Sequence, residues 1–112
     1  MPSHFAKEAN RFEMYWVNLE PTIGSEIKKI RPCVIISPNA LNSLSTRLIA
    51  PITSKSFDAP YRISFRLLDK DAKILCDQIR CVSLQRLHQK IGKLPDDVAR
   101  ELSGVLCEMF AL

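Results

Sequence analysis

Three short segments hold the side chains able to do chemistry: GSEIKKIRP (24–32), APITS (50–54) and CDQIR (76–80). In the first, Glu26 stands five residues before Arg31, and Pro32 pushes the backbone of that arginine toward an extended form. In the second, Thr53 and Ser54 place two short hydroxyls at the end of an apolar run. In the third, Asp77 and Gln78 interrupt apolar residues, where a carboxylate is costly unless paired. What is missing narrows the chemistry. The only histidines, His4 and His88, stand far from recognisable partners and read as surface imidazoles. Asp69 and Asp71 read as a turn rather than a magnesium site, and neither a G-x-S-x-G elbow nor a P-loop occurs. Chemistry here is expected to need no metal or cofactor and to use Glu, Arg, Lys and hydroxyl groups.

The elements that must position these residues are mostly strands. Residues 14–19 and 33–37 are aromatic and β-branched and predict two buried strands. Between them lies a charged loop punctuated by Pro21 and Gly24, too long for a tight hairpin. Taken alone, it reads as a solvated surface loop. Residues 38–46 are turn-rich. RLIAPITS (47–54) predicts a short strand ending where Pro51 removes a ladder donor. Residues 61–67 alternate with period two, 69–73 read as a turn, 74–84 as one further strand and 88–94 as a short one. About six short strands in roughly 80 residues point to a small, nearly closed barrel. Beyond Pro95, with Asp96 and Asp97 at its start, Val98, Leu102, Val105, Leu106 and Met109 mark the apolar face of a C-terminal helix.

At 112 residues, 46% hydrophobic and 25% charged, the chain has the make-up of one globular domain spanning 1–112. The four cysteines (Cys33, Cys76, Cys81, Cys107) form no C-x-x-C pair, and three lie in apolar runs. They are expected to be structural thiols. No apolar run approaches the roughly 20 residues of a membrane span, and the first twelve residues lack a signal-peptide core, so a cytoplasmic chain is expected. The net charge of +4 is compatible with a nucleic-acid partner without establishing one.

Taken in order, YWVNLEPTIGSE, RPCVIISP, APITS and CDQIR resemble the MazF/PemK family of toxin endoribonucleases, the mRNA interferases. The resemblance runs from about Glu13 to the C-terminal helix, and the P-T-x-G-S-E loop followed by R-P is its most specific part. It implies an SH3-like β-barrel with a terminal helix, a homodimer, a single-stranded RNA substrate and an acidic antitoxin partner. Arg31 and Thr53 match the family's catalytic arginine and its hydroxyl partner, and Glu26 matches the loop glutamate. Asp77, with Gln78, falls where some PemK-like members use an aspartate. The chain departs from the pattern twice. Phe12 precedes Glu13 where the family usually has glycine, and Leu75 stands two residues before Asp77 where PemK-like members carry arginine, so Asp77 is expected to orient Arg80 or backbone amides instead.

RNA cleavage without metal can use the substrate's 2′-hydroxyl as nucleophile. That chemistry needs a proton acceptor, charge neutralisation on the phosphoryl oxygens and a proton for the departing 5′-oxygen. The expected roles are Arg31 as electrostatic stabiliser and candidate acid, Thr53 as phosphate-positioning donor, and Glu26 as candidate base or contact to the RNA bases, with Asp77 as the alternative general base. Lys28, Lys29 and Arg47 would track the RNA backbone, with Ser54, Asp77 and Gln78 as further contacts. The competing class is a non-catalytic, CcdB-like toxin of the same barrel that binds DNA gyrase. A plain SH3-like interaction module is the third reading.

Overall fold

The computed structural model describes residues 8–26, 29–55 and 58–112. Seven strands form one sheet: β1 Glu13–Asn18, β2 Ile30–Ile35, β3 Thr46–Thr53, β4 Arg62–Leu67, β5 Lys70–Leu75, β6 Arg80–Ser83 and β7 Leu87–Lys93. One helix, α1 Asp96–Phe110, follows. Strand order is β4-β5-β3-β2-β1-β7, with β6 also on β3, and every pairing is antiparallel. The sheet curls into a half-barrel with the helix packed on it, so the expected mainly-β barrel with a C-terminal helix is the observed fold. No helix among the described residues is long and apolar enough to cross a membrane.

Both faces of the central strands are buried, which is why their sequences are nearly continuous apolar runs. Met14, Val34, Ala50 and Ile52 point toward a core closed by Leu102 of α1. Their alternates Tyr15, Val17, Cys33, Ile35 and Ile49 point to a second core beneath Val82 and Leu87. Cys33 and Cys76 are buried, Cys81 and Cys107 exposed, and all four thiols are free. Burial pushes the Cys33 and Cys76 thiols up to about 12 and about 11.

Three local expectations change. Pro51 does not end its strand. It falls between Ile49, the last residue paired to β6, and Ile52, the first paired to β5, where β3 exchanges neighbours along one edge. The run 74–84 is not one strand. Because β3 offers that same edge to β5 and then β6, the chain must turn between them, and Cys76–Gln78 form a 3-10 turn there. The segment 69–73 is not a turn: Leu68 and Asp69, both with positive φ, make the hairpin, and β5 starts at Lys70. Its polar residues lower strand propensity, yet Arg66↔Asp71 and Ser64↔Lys73 pair them on the outer face.

Phe12 adopts φ +71°, the conformation for which glycine is favoured. Its amide donates to the Ile35 carbonyl at 2.8 Å, its carbonyl accepts from Leu94 at 2.9 Å, and its ring packs on the first core. The turn geometry is therefore kept despite the missing glycine.

Candidate active-site cleft

β2 and β3 pair as Cys33↔Pro51, Val34↔Ala50 and Ile35↔Ile49. Continuing this register by two residues sets Arg31 opposite Thr53, and directly opposed residues share a face of the sheet. Both side chains line one cleft of about 260 Å³, with Ser54, Trp16, Lys70 and Asp71 around them. Arg31 is half-buried. Thr53 is 7% exposed, and its hydroxyl accepts from the Lys55 amide at 3.2 Å, which leaves its O–H to donate. A fixed planar cation beside a short hydroxyl can hold a phosphate group from two directions.

Glu26 is not in this cleft. It lines a neighbouring one of about 380 Å³ with Ser25, Asp77, Gln78, Arg80 and Pro51. Pro51 and Thr53 are two residues apart on the same face of β3, so the clefts lie side by side. One Glu26 oxygen accepts from the Ile23 amide at 2.6 Å, closing a turn inside the loop. The base of that loop is tied shut. Leu19 donates to the Lys29 carbonyl at 3.0 Å, and the Lys29 amide donates to the Glu20 carboxylate at 2.8 Å. Arg80 donates to the Leu19 carbonyl at 3.1 Å, and Arg86 to those of Asn18 and Glu20. Lys29 is exposed at the loop's end, while Lys28 lies outside the described residues.

Two expectations are corrected. Asp77 sits in the 3-10 turn rather than within a strand, and its partner is Arg62, not Arg80. The pair is bidentate, with Nε to Oδ1 at 3.0 Å and Nη2 to Oδ2 at 2.9 Å. The Arg62 guanidinium holds the Asp77 carboxyl below its ordinary value. Arg62 is paired directly across the hairpin from Leu75, so a guanidinium reaches Asp77 from β4 although β5 has none at that position. Arg47 is not on the surface at all. It is 2% exposed and donates to the carbonyls of Ala9 (3.0 Å), Leu44 (2.9 Å), Thr46 (2.8 Å), Glu8 (2.9 Å) and Asn42 (3.4 Å). Its donors close the protein's own backbone, and none is left for a phosphate.

Sequence reasoning missed Arg62 and Arg86. Asp77 was expected to need a cation because it was read as lying within an apolar strand; its side chain is in fact 41% exposed, and Arg62 reaches it through the strand register. Among the described residues no three His, Cys, Asp or Glu side chains gather into a set able to hold a metal ion.

A family model described as "PemK-like, MazF-like toxin of type II toxin-antitoxin system" matches residues 10–110. An Endoribonuclease MazF of Staphylococcus saprophyticus is 35% identical over 103 residues, 86% of each chain. Among solved structures, MazF of Deinococcus radiodurans superposes with a TM-score of 0.79 at 24% identity, covering 92% of this chain and 96% of that one. The Mycobacterium tuberculosis toxin MazF-mt6 does so with a TM-score of 0.72 at 19% identity, covering 88% and 95%. A MazE–MazF crystal structure from Deinococcus radiodurans reaches 0.72 at 21% identity over 92% and 95%.

Proposed function

Given that the chain belongs to the PemK-like, MazF-like toxin family of type II toxin–antitoxin systems, we propose that it is an endoribonuclease that cuts single-stranded RNA at defined sequences, without metal, through the substrate's 2′-hydroxyl. The observation that carries this reading is the meeting of Arg31 and Thr53 in one cleft. The 2′-oxygen attacks the adjacent phosphorus while its proton passes to a carboxylate. Charge building on the non-bridging oxygens is met by the Arg31 guanidinium and the Thr53 hydroxyl. The departing 5′-oxygen takes a proton from the Arg31 guanidinium, which solvent reprotonates, and the products are a 2′,3′-cyclic phosphate and a 5′-hydroxyl. Of the two carboxylates lining the neighbouring cleft, Glu26 is the better proton acceptor, because both Asp77 oxygens are bound by Arg62. Bringing Glu26 to the scissile phosphate requires its loop to close over the bound strand. Gln78, Asp77, Ser54, Lys28 and Lys29 contact the RNA on either side.

The relative named an endoribonuclease favours this reading over a gyrase-binding toxin. A further solved relative, from mycobacteria, is described as an endoribonuclease in complex with its cognate antitoxin. We extend that partnership to this chain as a homodimer inhibited by an acidic antitoxin. The test incubates purified protein with long RNA in EDTA, and with the same RNA carrying 2′-deoxyribose at mapped cleavage positions. The RNA is expected to be cut and the deoxy-substituted sites to stay intact. Strict dependence on Mg²⁺, or cleavage at the deoxy positions, overturns the mechanism. Glu26→Gln is expected to lose more rate than Asp77→Asn.

A further inference from the structure

The row of side chains that begins with Arg31 and Thr53 does not stop at β3. Thr53 pairs directly with Lys73 on β5, and Lys73 pairs with Ser64 on β4. The adjacent row, Ile52, Ile74 and Ile63, points to the opposite face and is buried in the first core. The sheet therefore turns one face inward and presents Thr53, Lys73 and Ser64 on the other. Neighbouring strands lie roughly 5 Å apart, so Lys73 follows Thr53 at one strand spacing. These residues line a groove of about 370 Å³ that shares Thr53, Ser54 and Asp71 with the Arg31 cleft, which makes the two continuous.

Lys73 is not a freely solvated surface lysine. Its side chain is only 20% exposed, and the ammonium donates to Ser64 Oγ at 2.9 Å and to Asp58 at 2.6 Å. The Asp58 side chain, by contrast, is 93% exposed. A cation is thus held in place beside the catalytic hydroxyl, and the anion it holds is one that water reaches from most sides. Such an exposed pair is weak and easily exchanged.

The geometry points to a second phosphate subsite formed by Lys73 and Ser64, which takes the phosphodiester next to the scissile one and is occupied in the free protein by the Asp58 carboxylate. This deepens the ribonuclease reading and rests on it. RNA entering the groove displaces Asp58 and sets a phosphate on Lys73 Nζ and the Ser64 hydroxyl. The strand is then held on both sides of the attacked bond.

The test titrates a fluorescein-labelled single-stranded RNA of mixed sequence, with uncleavable 2′-O-methyl riboses, against the intact protein over a range of salt. Lys73→Met is expected to weaken binding several-fold and to lower the slope of log affinity against log salt by about 0.7, one phosphate contact on a single strand. Lys73→Arg is expected to keep that slope, and matching thermal melts separate a lost contact from a lost fold. Asp58→Asn is expected to tighten binding, and this gain should vanish in the Lys73→Met background. A wild-type slope in folded Lys73→Met, or no gain from Asp58→Asn, overturns the subsite while leaving the nuclease reading intact. A wild-type protein that neither binds this RNA nor cuts natural RNA overturns both.

Discussion

Arg31 and Arg47 are the same residue type on adjacent strands, and their surroundings give them opposite work. Arg31 lies at the open end of β2, where its fork faces a cleft next to a hydroxyl. Arg47 lies at the start of β3 with its donors spent on carbonyls of residues 8, 9, 42, 44 and 46. Removing Arg31 should therefore cost rate, whereas removing Arg47 leaves buried carbonyls without donors and should cost stability. Arg31→Ala is expected to lose about 10²-fold or more in cleavage rate, the usual loss for one donor to transition-state charge, with an unchanged thermal melt. Thr53→Ala should lose a similar or smaller factor. A folded Arg31→Ala protein that cuts RNA at the wild-type rate would remove the arginine from the mechanism.

At the scale of elements, the first strand is held at both ends by polar ties that the apolar pattern does not show. Glu13 opens β1 and accepts from the Asn10 amide at 2.8 Å, the Tyr15 hydroxyl at 3.2 Å and Lys90 of β7 at 2.8 Å. Burial by itself raises its carboxyl, but these bonds outweigh burial and hold it below the ordinary value of 4.5. A folded-state value below the unfolded one means that the ionised form favours the folded chain. The contribution is fully present above about pH 4.5 and is lost as pH falls through the lowered value. Glu13→Gln should accordingly melt at a lower temperature near neutrality, and the gap to wild type should narrow below pH 4.5. A gap that stays constant down to acid would deny Glu13 this role. The turn just before it makes a second prediction. Phe12 contributes a packed ring and bears a positive φ. Ala and Gly both lose the ring, but only Gly relieves the backbone, which costs other residues roughly 1 kcal/mol in this conformation. Urea unfolding should rank wild type above Phe12→Gly, and Phe12→Gly about 1 kcal/mol above Phe12→Ala. An alanine variant as stable as the glycine variant would show that the turn relaxes out of the left-handed region.

For the whole molecule, the question is what an inhibitor must resemble. With Arg47 withdrawn to the interior, the described cations around the clefts include Arg31, Lys70 and Lys29 and, along the groove, Lys73. In the proposed reading, an acidic, extended antitoxin segment would imitate an RNA strand on such a surface and order as it binds. In a C₂ dimer the same surface is used twice, so one peptide or one strand can cross the two-fold axis. Uncleavable fluorescent RNA is expected to be displaced by an acidic antitoxin C-terminal segment, with both affinities falling as salt rises. RNA binding that persists at saturating peptide would exclude a shared groove and make the inhibitor act from another surface.

The apolar runs of 14–19 and 33–37, the helical face of 98–109 and the ordered motifs around Arg31, Thr53 and Asp77 were all legible in the chain itself. Periodicity and residue type are local properties, and they survive whatever the rest of the molecule does. Strand partnership is not local. That Arg31 faces Thr53, that Thr53 borders Lys73, and that Arg62 rather than Arg80 reaches Asp77 all depend on registers between strands far apart in sequence. The same holds for Arg47, whose charge predicted a surface until five backbone carbonyls converged on it. Glu26, near Arg31 in sequence, was carried into the adjoining cleft because the loop between β1 and β2 closes on itself before the arginine is reached. Residue identities name the groups that can meet a phosphate, and the register of the sheet decides which of them do.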